Sequence, residues 1–309
     1  RVAREGPQYL RGLRAQVNSI TLRIAGVPEH FNLPWHLGLE RRAFVRAGID
    51  LKWRTVAEGT GAMCKLLRSG EIDLAILVTE GAVRDILNGN PACIIAPYVD
   101  SPLTWGVHVG AGSAITEPEQ LRNVPYAISR PNSGSHLAAM AYALTHSWKV
   151  TEKDLVIVND LPGAVERLQG PSPLAFLWEK YTTKPLVDSG ALRRVDEYRS
   201  SWPSFVIVAR ESVLAEHAEP VKRLLKVIRD QSLGLMSKKT APEIIAQRYN
   251  LKIEDARAWF SEVRWNTNGR LEDHALTAVA ATLRQAGMLD GDLTKEVLCQ
   301  KLLWPPHKS

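Results

Sequence analysis

The run Ile72, Leu74, Ala75, Ile76, Leu77 is apolar almost without interruption. A strand with two apolar faces has to be covered on both, which in a water-soluble fold means helices packed above and below a parallel sheet. The flanking sequence supplies them. Leu22, Ile24 and Val27 form a strand-like run that stops at Pro28, and Leu33 to Ala47 spaces Leu37, Leu39, Phe44 and Val45 as one helix ending at Gly48. Ile49, Leu51, Trp53 and Val56 predict a second strand. Ala62 to Arg68 predicts a helix, another runs to Leu87, and Cys93 to Ala96 predicts a further strand. Strand and helix alternating in this order call for a doubly wound α/β lobe with right-handed crossovers. Ligands in such sheets bind beyond the carboxyl ends of the strands. The expected pocket rim is then the loops Pro28 to Phe31, Glu58 to Gly61 and Thr79 to Gly81.

The alternation restarts after Asp100. Leu103 to Val109, Tyr126 to Ser129, Leu155 to Val158 and Leu174 to Trp178 read as strands, with helices at Ser135 to Trp148 and Pro162 to Leu168. Phe205 to Ala209 is a last strand, and the remainder is almost wholly helical. Proline stands at both junctions, Pro102 and Pro203. The expected division is a basic extension at 1–19, one lobe built from 20–101 and 203–309, and a second lobe at 102–202, joined by two crossovers that act as a hinge.

Composition narrows the functions open to such a chain. With 309 residues, 45% hydrophobic, there is material for about two domains. The net charge of +6 rests largely on Arg1, Arg4, Arg11 and Arg14, and no Lys/Arg cluster interleaved with aromatics is present, so nucleic acid is not an expected partner. The basic segment suits a solvated tail or the remnant of an organellar transit peptide. No apolar stretch reaches the ~18 to 20 residues that span a bilayer. Three scattered cysteines, Cys64, Cys93 and Cys299, give no disulfide framework, and a cytoplasmic or organellar setting is expected over a periplasmic one. Histidine, cysteine and acidic residues nowhere take zinc-like spacing, and no nucleophile elbow or P-loop occurs; neither metal, cofactor nor catalytic residue is expected.

The succession Leu22-Arg23-Ile24-Ala25-Gly26-Val27-Pro28-Glu29-His30-Phe31, Glu58-Gly59-Thr60-Gly61, Glu71-Ile72-Asp73-Leu74-Ala75-Ile76 and Thr79-Glu80 resembles the type II periplasmic-binding-protein fold. Its nearest likeness is to the alkanesulfonate, taurine and thiamine-precursor binding class. The pattern continues through Ser101-Pro102-Leu103, Ser129-Arg130, Ser133-Gly134-Ser135 and Phe176-Leu177-Trp178-Glu179 in the manner of an intracellular, fungal-type subgroup. The resemblance spans about residues 20 to 300. It implies an α/β, two-lobed fold, each lobe a mixed, mainly parallel sheet flanked by helices, with two hinge crossovers and a ligand between the lobes. A related enzymatic branch, the yeast-type synthase that makes the thiamine pyrimidine from its own histidine and pyridoxal phosphate, carries a cofactor lysine and a donor histidine at positions matching Leu77 and Gly81. Its cysteine-rich run would fall in Ser204-Phe205-Val206-Ile207-Val208. Leucine forms no Schiff base.

Candidate ligand-binding residues follow from the layout. Ser133-Gly134-Ser135 precedes an apolar-periodic helix, so its amides and hydroxyls, with Ser129, offer a helix N-terminus to an anion or carbonyl oxygen; ordinary capping is the alternative. Arg130 suits an acid or an interlobe salt bridge. Glu29, Glu58, Glu80 and Glu179 fall at strand ends or cleft loops, beside His30, Phe31, Gly59, Thr60 and Thr79. So many acids make a poor trap for a simple sulfonate, but a pair turned inward would accept hydrogen bonds from an amine or amidine-like ring. Glu80 and Glu179 are the expected pair. Of nine tryptophans, Trp105, Trp178 and Trp202 fall on the hinge or cleft side, where aromatic faces stack planar ligands or pack the hinge. The expectation is a solute-binding protein for a small, planar, nitrogenous ligand, with a thiamine-pyrimidine precursor leading. The alternatives are an enzyme of thiamine-pyrimidine or related cofactor synthesis and an alkanesulfonate or taurine binder. A transporter or protein partner is left open.

Overall fold

A computed structural model describes residues 19–304; the expected basic extension lies, but for its last residue, outside the described residues. The chain begins with β1 (Ile20–Gly26), a 3₁₀ turn at His30–Asn32, α1 (Leu33–Glu40) and α2 (Ala43–Arg46). The single helix expected from Leu33 to Ala47 is therefore broken. Arg42 takes a left-handed φ of 54°, and the break folds Phe44 back under α1, where its ring stacks on Trp35 at 5.7 Å.

β2 (Ile49–Thr55), α3 (Thr60–Ser69), β3 (Leu74–Val78), α4 (Thr79–Leu87) and β4 (Ala92–Val99) follow. All of β3 is buried, as its continuous apolar run predicts. Thr79–Gly81, expected as a loop, is the first turn of α4. Thr79 fixes that junction: its N–H donates to Ser204 O at 3.0 Å and its hydroxyl to Pro203 O at 2.5 Å, so the helix starts directly off the strand.

The middle of the chain forms β5 (Thr104–Gly110), β6 (Tyr126–Ile128), α5 (Gly134–Thr145), β7 (Leu155–Ile157), α6 (Leu161–Leu168), β8 (Ala175–Glu179), α7 (Lys184–Asp188) and β9 (Leu192–Arg199). The sequence reading missed β9. It pairs with β5 alone at a sheet edge, where charged side chains deter further pairing, so it carries no apolar run to recognise. The chain then returns through β10 (Phe205–Arg210) to α8 (Glu211–Met236), α9 (Ala241–Tyr249), α10 (Ile253–Glu262), α11 (Asp273–Gln285) and α12 (Lys295–Leu302).

Two five-stranded sheets result, ordered β2-β1-β3-β10-β4 and β7-β6-β8-β5-β9. One strand in each runs against its neighbours: β10 is antiparallel to β3 and β4, and β5 to β8 and β9. These are the strands by which the chain arrives from the other sheet. Each lobe is thus mixed and mainly parallel, and the two orders correspond strand for strand. The connecting segments lie side by side, with Ser200 N–H donating to Leu103 O and Ser204 N–H to Ser101 O, both at 3.2 Å.

The lobes meet through apolar and charged contacts. One hydrophobic cluster runs from Leu22, Ile24 and Phe205 in the first sheet to Trp105, Val107 and Tyr126 in the second. At the periphery, Lys252 pairs with Asp188 of α7 at 2.8 Å, and Lys184 pairs with Asp188 and, at 3.6 Å, with Asp255 of α10. No helix among the described residues is long and apolar enough to cross a membrane.

Close packing of α3 on α4 positions two walls of the gap between the sheets. A β-carbon on Gly81 would lie 2.5 Å from Thr60 Cγ2, and Thr60 is itself pinned where its hydroxyl accepts the Val78 N–H at 3.2 Å. Overpacking of this kind costs about 1–3 kcal/mol. Gly81→Ala is expected to lower the unfolding free energy by that amount, measured by urea denaturation.

Candidate functional site

Strand ends from both lobes converge on one cleft. Its walls are Val27, Glu29, Glu58, Gly59, Thr60, Ile76 and Val78 from the first lobe, Trp105, Ser129, Gly134, Ser135, Trp178 and Glu179 from the second, and Leu103 and Phe205 beside the crossovers. The cavity at the centre of the cleft is about 50 Å³. Small-molecule sites span roughly 300–1,000 Å³, so a ring seats here only when the lobes part further than they do in this structure. Val27, Ile76, Val78, Leu103 and Phe205 were not singled out from the sequence as ligand-binding; Ile76 lies mid-strand in β3, and the signal of the others was only that each stands at the end of an apolar strand or beside a crossover.

Glu29, Glu58 and Glu179 line the cleft; Glu58 is exposed, so the buried acidic pair is Glu29 with Glu179, not the expected Glu80 with Glu179. Glu80 is absent from the cleft wall. Because Thr79–Gly81 is helical, its side chain meets the crossover instead, and its carboxylate accepts the Trp202 Nε1–H at 2.8 Å. Burial pushes its carboxyl up to about 6, against the pull of its own backbone N–H and of Trp202.

Glu29 enters from the turn after β1. Its N–H donates to Val27 O at 2.8 Å and the Asn32 side chain to the same oxygen at 2.8 Å, curling the loop inward. Glu179 is the last residue of β8 and stands directly across from Trp105 in the antiparallel register, so both share a face of the sheet. Its Oε2 accepts from the Tyr181 and Thr182 N–H groups at 3.0 and 2.6 Å and from the Thr182 hydroxyl at 2.8 Å. Oε1 takes no part in that turn. Burial, reinforced by the neighbouring Glu179 charge, pushes the Glu29 carboxyl up to about 8. Burial pushes Glu179 up to about 7, opposed by its turn donors and by Lys180.

The start of α5 lines the same cleft. Ser133 caps it by accepting the His136 N–H at 3.3 Å, while Ser135 Oγ accepts the Ser129 N–H at 2.9 Å and lies 3.2 Å from Ser129 Oγ. Ser133 therefore acts as the cap, and Ser129 and Ser135 are the hydroxyls on the wall. Trp105 and Trp178 flank them. The indole N–H groups of both are buried without a hydrogen-bond partner, a costly state unless something else accepts from them.

The other expected residues stand behind or beside the wall. His30 is buried against Trp259, ring centroids 4.1 Å apart, with Nε2 3.8 Å from Glu179 Oε2; burial pulls its pKa down to about 3, so it is neutral. Phe31 is core, its carbonyl accepting from Tyr98 Oη and Trp265 Nε1 at 2.7 and 2.9 Å. Trp202 belongs to the crossover, and Thr79, at the start of α4, is bonded to it. Arg130 reaches across the mouth, donating to Glu58 O at 2.9 Å and to Asn159 O at 3.3 Å. Among the described residues, no lysine, arginine or histidine lines the cleft, and no His/Cys/Asp/Glu cluster of metal-binding type is present.

Two five-stranded mixed sheets, each with one reversed crossover strand and with a cleft between their strand ends, decide the fold. The chain has the type II periplasmic-binding-protein fold. A family model described as Ca3427-like PBP matches residues 105–198. The Candida albicans CA3427 gene product, whose structure defined a family with the generic periplasmic-binding-protein fold, superposes with a TM-score of 0.84 at 25% identity, over 91% of this chain and 94% of that one. The alkanesulfonate-binding protein SsuA from Xanthomonas axonopodis pv. citri, bound to MOPS, gives 0.73 at 14% identity over 93% and 99%. The nitrate-binding protein NrtA from Synechocystis PCC 6803 gives 0.69 at 14% over 93% and 86%. No curated protein matches the sequence. The fungal likeness read from the motifs is thus met by the Candida structure.

The buried acids set a pH dependence of stability. A carboxyl whose folded pKa exceeds its unfolded value costs nothing below the unfolded pKa and destabilises progressively as pH rises through the folded one. For Glu29 that window runs from about 4.5 to about 8. Glu29→Gln in the unliganded protein is expected to gain about 1–3 kcal/mol over the parent at pH 8.5 and nothing at pH 4.5, measured as paired denaturant curves.

Proposed function

We propose that the cleft is a solute-binding site for a small, planar, nitrogenous molecule that presents N–H donors and carries positive charge when bound. The observation that carries this reading is that Glu29 and Glu179 line one cavity in which no basic side chain balances them. A cation or amidine-like edge would supply the missing partner through charge-assisted hydrogen bonds. Trp105 and Trp178 add flat faces and two N–H groups in want of an acceptor, which a ring nitrogen or carbonyl would provide. An aminopyrimidine has both edges, so a thiamine-pyrimidine precursor is the leading ligand within this class. Residues 102–202 would close on 20–101 and 203–309 about the paired crossovers.

The sulfonate alternative draws on the α5 N-terminus with Ser129 and Ser135, a place where anions are favoured. The two buried carboxylates that line the same cleft, Glu29 and Glu179, oppose it. An enzymatic role of the pyridoxal type finds little support in the residues at the matching positions: Leu77 packs in the core with Val83, Val206 and Val208, and Gly81 leaves no room for a side chain.

Isothermal titration with benzamidine, 4-aminopyrimidine, taurine and ethanesulfonate checks the assignment. The two nitrogenous probes are expected to bind and the sulfonates to give no heat, with Glu179→Gln weakening benzamidine about 10- to 100-fold. Binding of the sulfonates alone would refute the reading.

A further inference from the structure

Glu179 faces two cavities. One is the cleft; the other is a small chamber on its far side, bounded by Pro102, Thr104, Tyr181, Arg199, Trp259 and Glu262. The crossover segment 101–104 therefore forms, with Glu179, the partition between them: Leu103 lines the cleft and its neighbours line the chamber. About 20 Å³ of the chamber admits the centre of a water-sized sphere, enough for one water by the usual ~10–15 Å³ requirement. Arg199 and Glu262 are solvent-exposed, so the chamber reaches the surface.

We propose that Glu179 is a proton-release site: when a cationic ligand seats against Glu29 and Glu179, the proton held by that pair leaves through the rear chamber rather than through the occupied cleft. This rests on the nitrogenous-ligand reading above. The step is an acid dissociation. The carboxyl O–H breaks, its electron pair stays on the carboxylate, and the proton passes by way of water to the bulk.

The surroundings allow little else to take the proton. From the turn after β1, Glu29 and neutral His30 face Glu179, and from α9 Tyr249 lies behind His30, its hydroxyl pKa pushed up to about 12 by burial. Within its own turn, Lys180 is paired with Glu197 at 3.0 Å, and burial raises the Tyr181 hydroxyl to about 12. From α10 and β9 come Glu262 and Arg199 at the chamber mouth, and across the cleft stands Glu58. With Glu29 at about 8 and Glu179 at about 7, the unliganded pair retains protons at neutral pH. A cation stabilises both carboxylates and drives them off.

Three measurements on the full chain test this. Titration of benzamidine, a cation throughout the range, in two buffers of different ionisation enthalpy at pH 7 is expected to show between one and two protons released per ligand, vanishing by pH 9.5 and lowered by about a third in Glu179→Gln. Binding heat that is independent of buffer at pH 7 would overturn proton release while leaving the ligand reading intact. If neither benzamidine nor 4-aminopyrimidine binds, the ligand reading fails, and with it ligand-driven release. The ligand-free protein reports on the pair separately: its infrared difference spectrum against Glu179→Gln is expected to show a protonated carboxyl stretch at pH 6 that is gone at pH 9, and absence of that band refutes a proton held there. For the route, Thr104→Leu fills the chamber and is expected to slow at least tenfold the proton release that follows rapid mixing with benzamidine, read with a pH indicator dye; an unchanged rate overturns the rear exit.

Discussion

The repulsion between Glu29 and Glu179 organises the space between the lobes, because each lobe contributes one member. Glu29 hangs from the end of β1 in the first lobe and Glu179 from the end of β8 in the second. Bringing the lobes together brings the two acids together and removes them from water, and both effects resist ionisation. A closed cleft without a counter-charge must hold protons; with one, it need not. On the proposed reading, closure and the charge of the contents are a single equilibrium, and the turn donors to Glu179 Oε2 keep one side of the pair fixed while its charge state changes.

The topology makes that meeting possible. In both sheets the strand order is the same, and the one reversed strand is the strand that enters from the partner lobe. Strand ends from the two sheets consequently point at each other across the paired crossovers, and Leu103 and Phe205, which flank those crossovers, floor the cleft. The Glu80–Trp202 bond and the Thr79 contacts to residues 203 and 204 fasten the start of α4 to the second crossover, so the first lobe carries one strand of the hinge as a rigid part of itself.

Much of this was legible in the residues because strand and helix leave distinct hydrophobic periods. The Ile72–Leu77 run, broken only by Asp73, reads as a covered strand. What escaped the sequence has identifiable causes. β9 is a charged edge strand, so its pattern is that of a loop. Four acids at strand ends were visible, but which one turns inward depends on where a helix begins. With no loop between β3 and α4, the helix opens at Thr79 and swings Glu80 toward the hinge, whereas the short turn after β1 curls Glu29 into the cleft. The serines were ambiguous between cap and wall, and the structure divides the roles, Ser133 capping and Ser129 with Ser135 lining.

The ion pairs at the periphery have a consequence of their own. Lys252 with Asp188, and Lys184 with Asp255, tie helices of the first lobe to α7 of the second, and Arg130 ties the opposite rim. Any parting of the lobes must break the peripheral pairs first, in a setting where mobile ions compete for them. How long a captured molecule stays is then governed partly by ionic strength acting at a distance from it, and two solutes of equal affinity for the interior would share that same electrolyte-dependent delay on their way out.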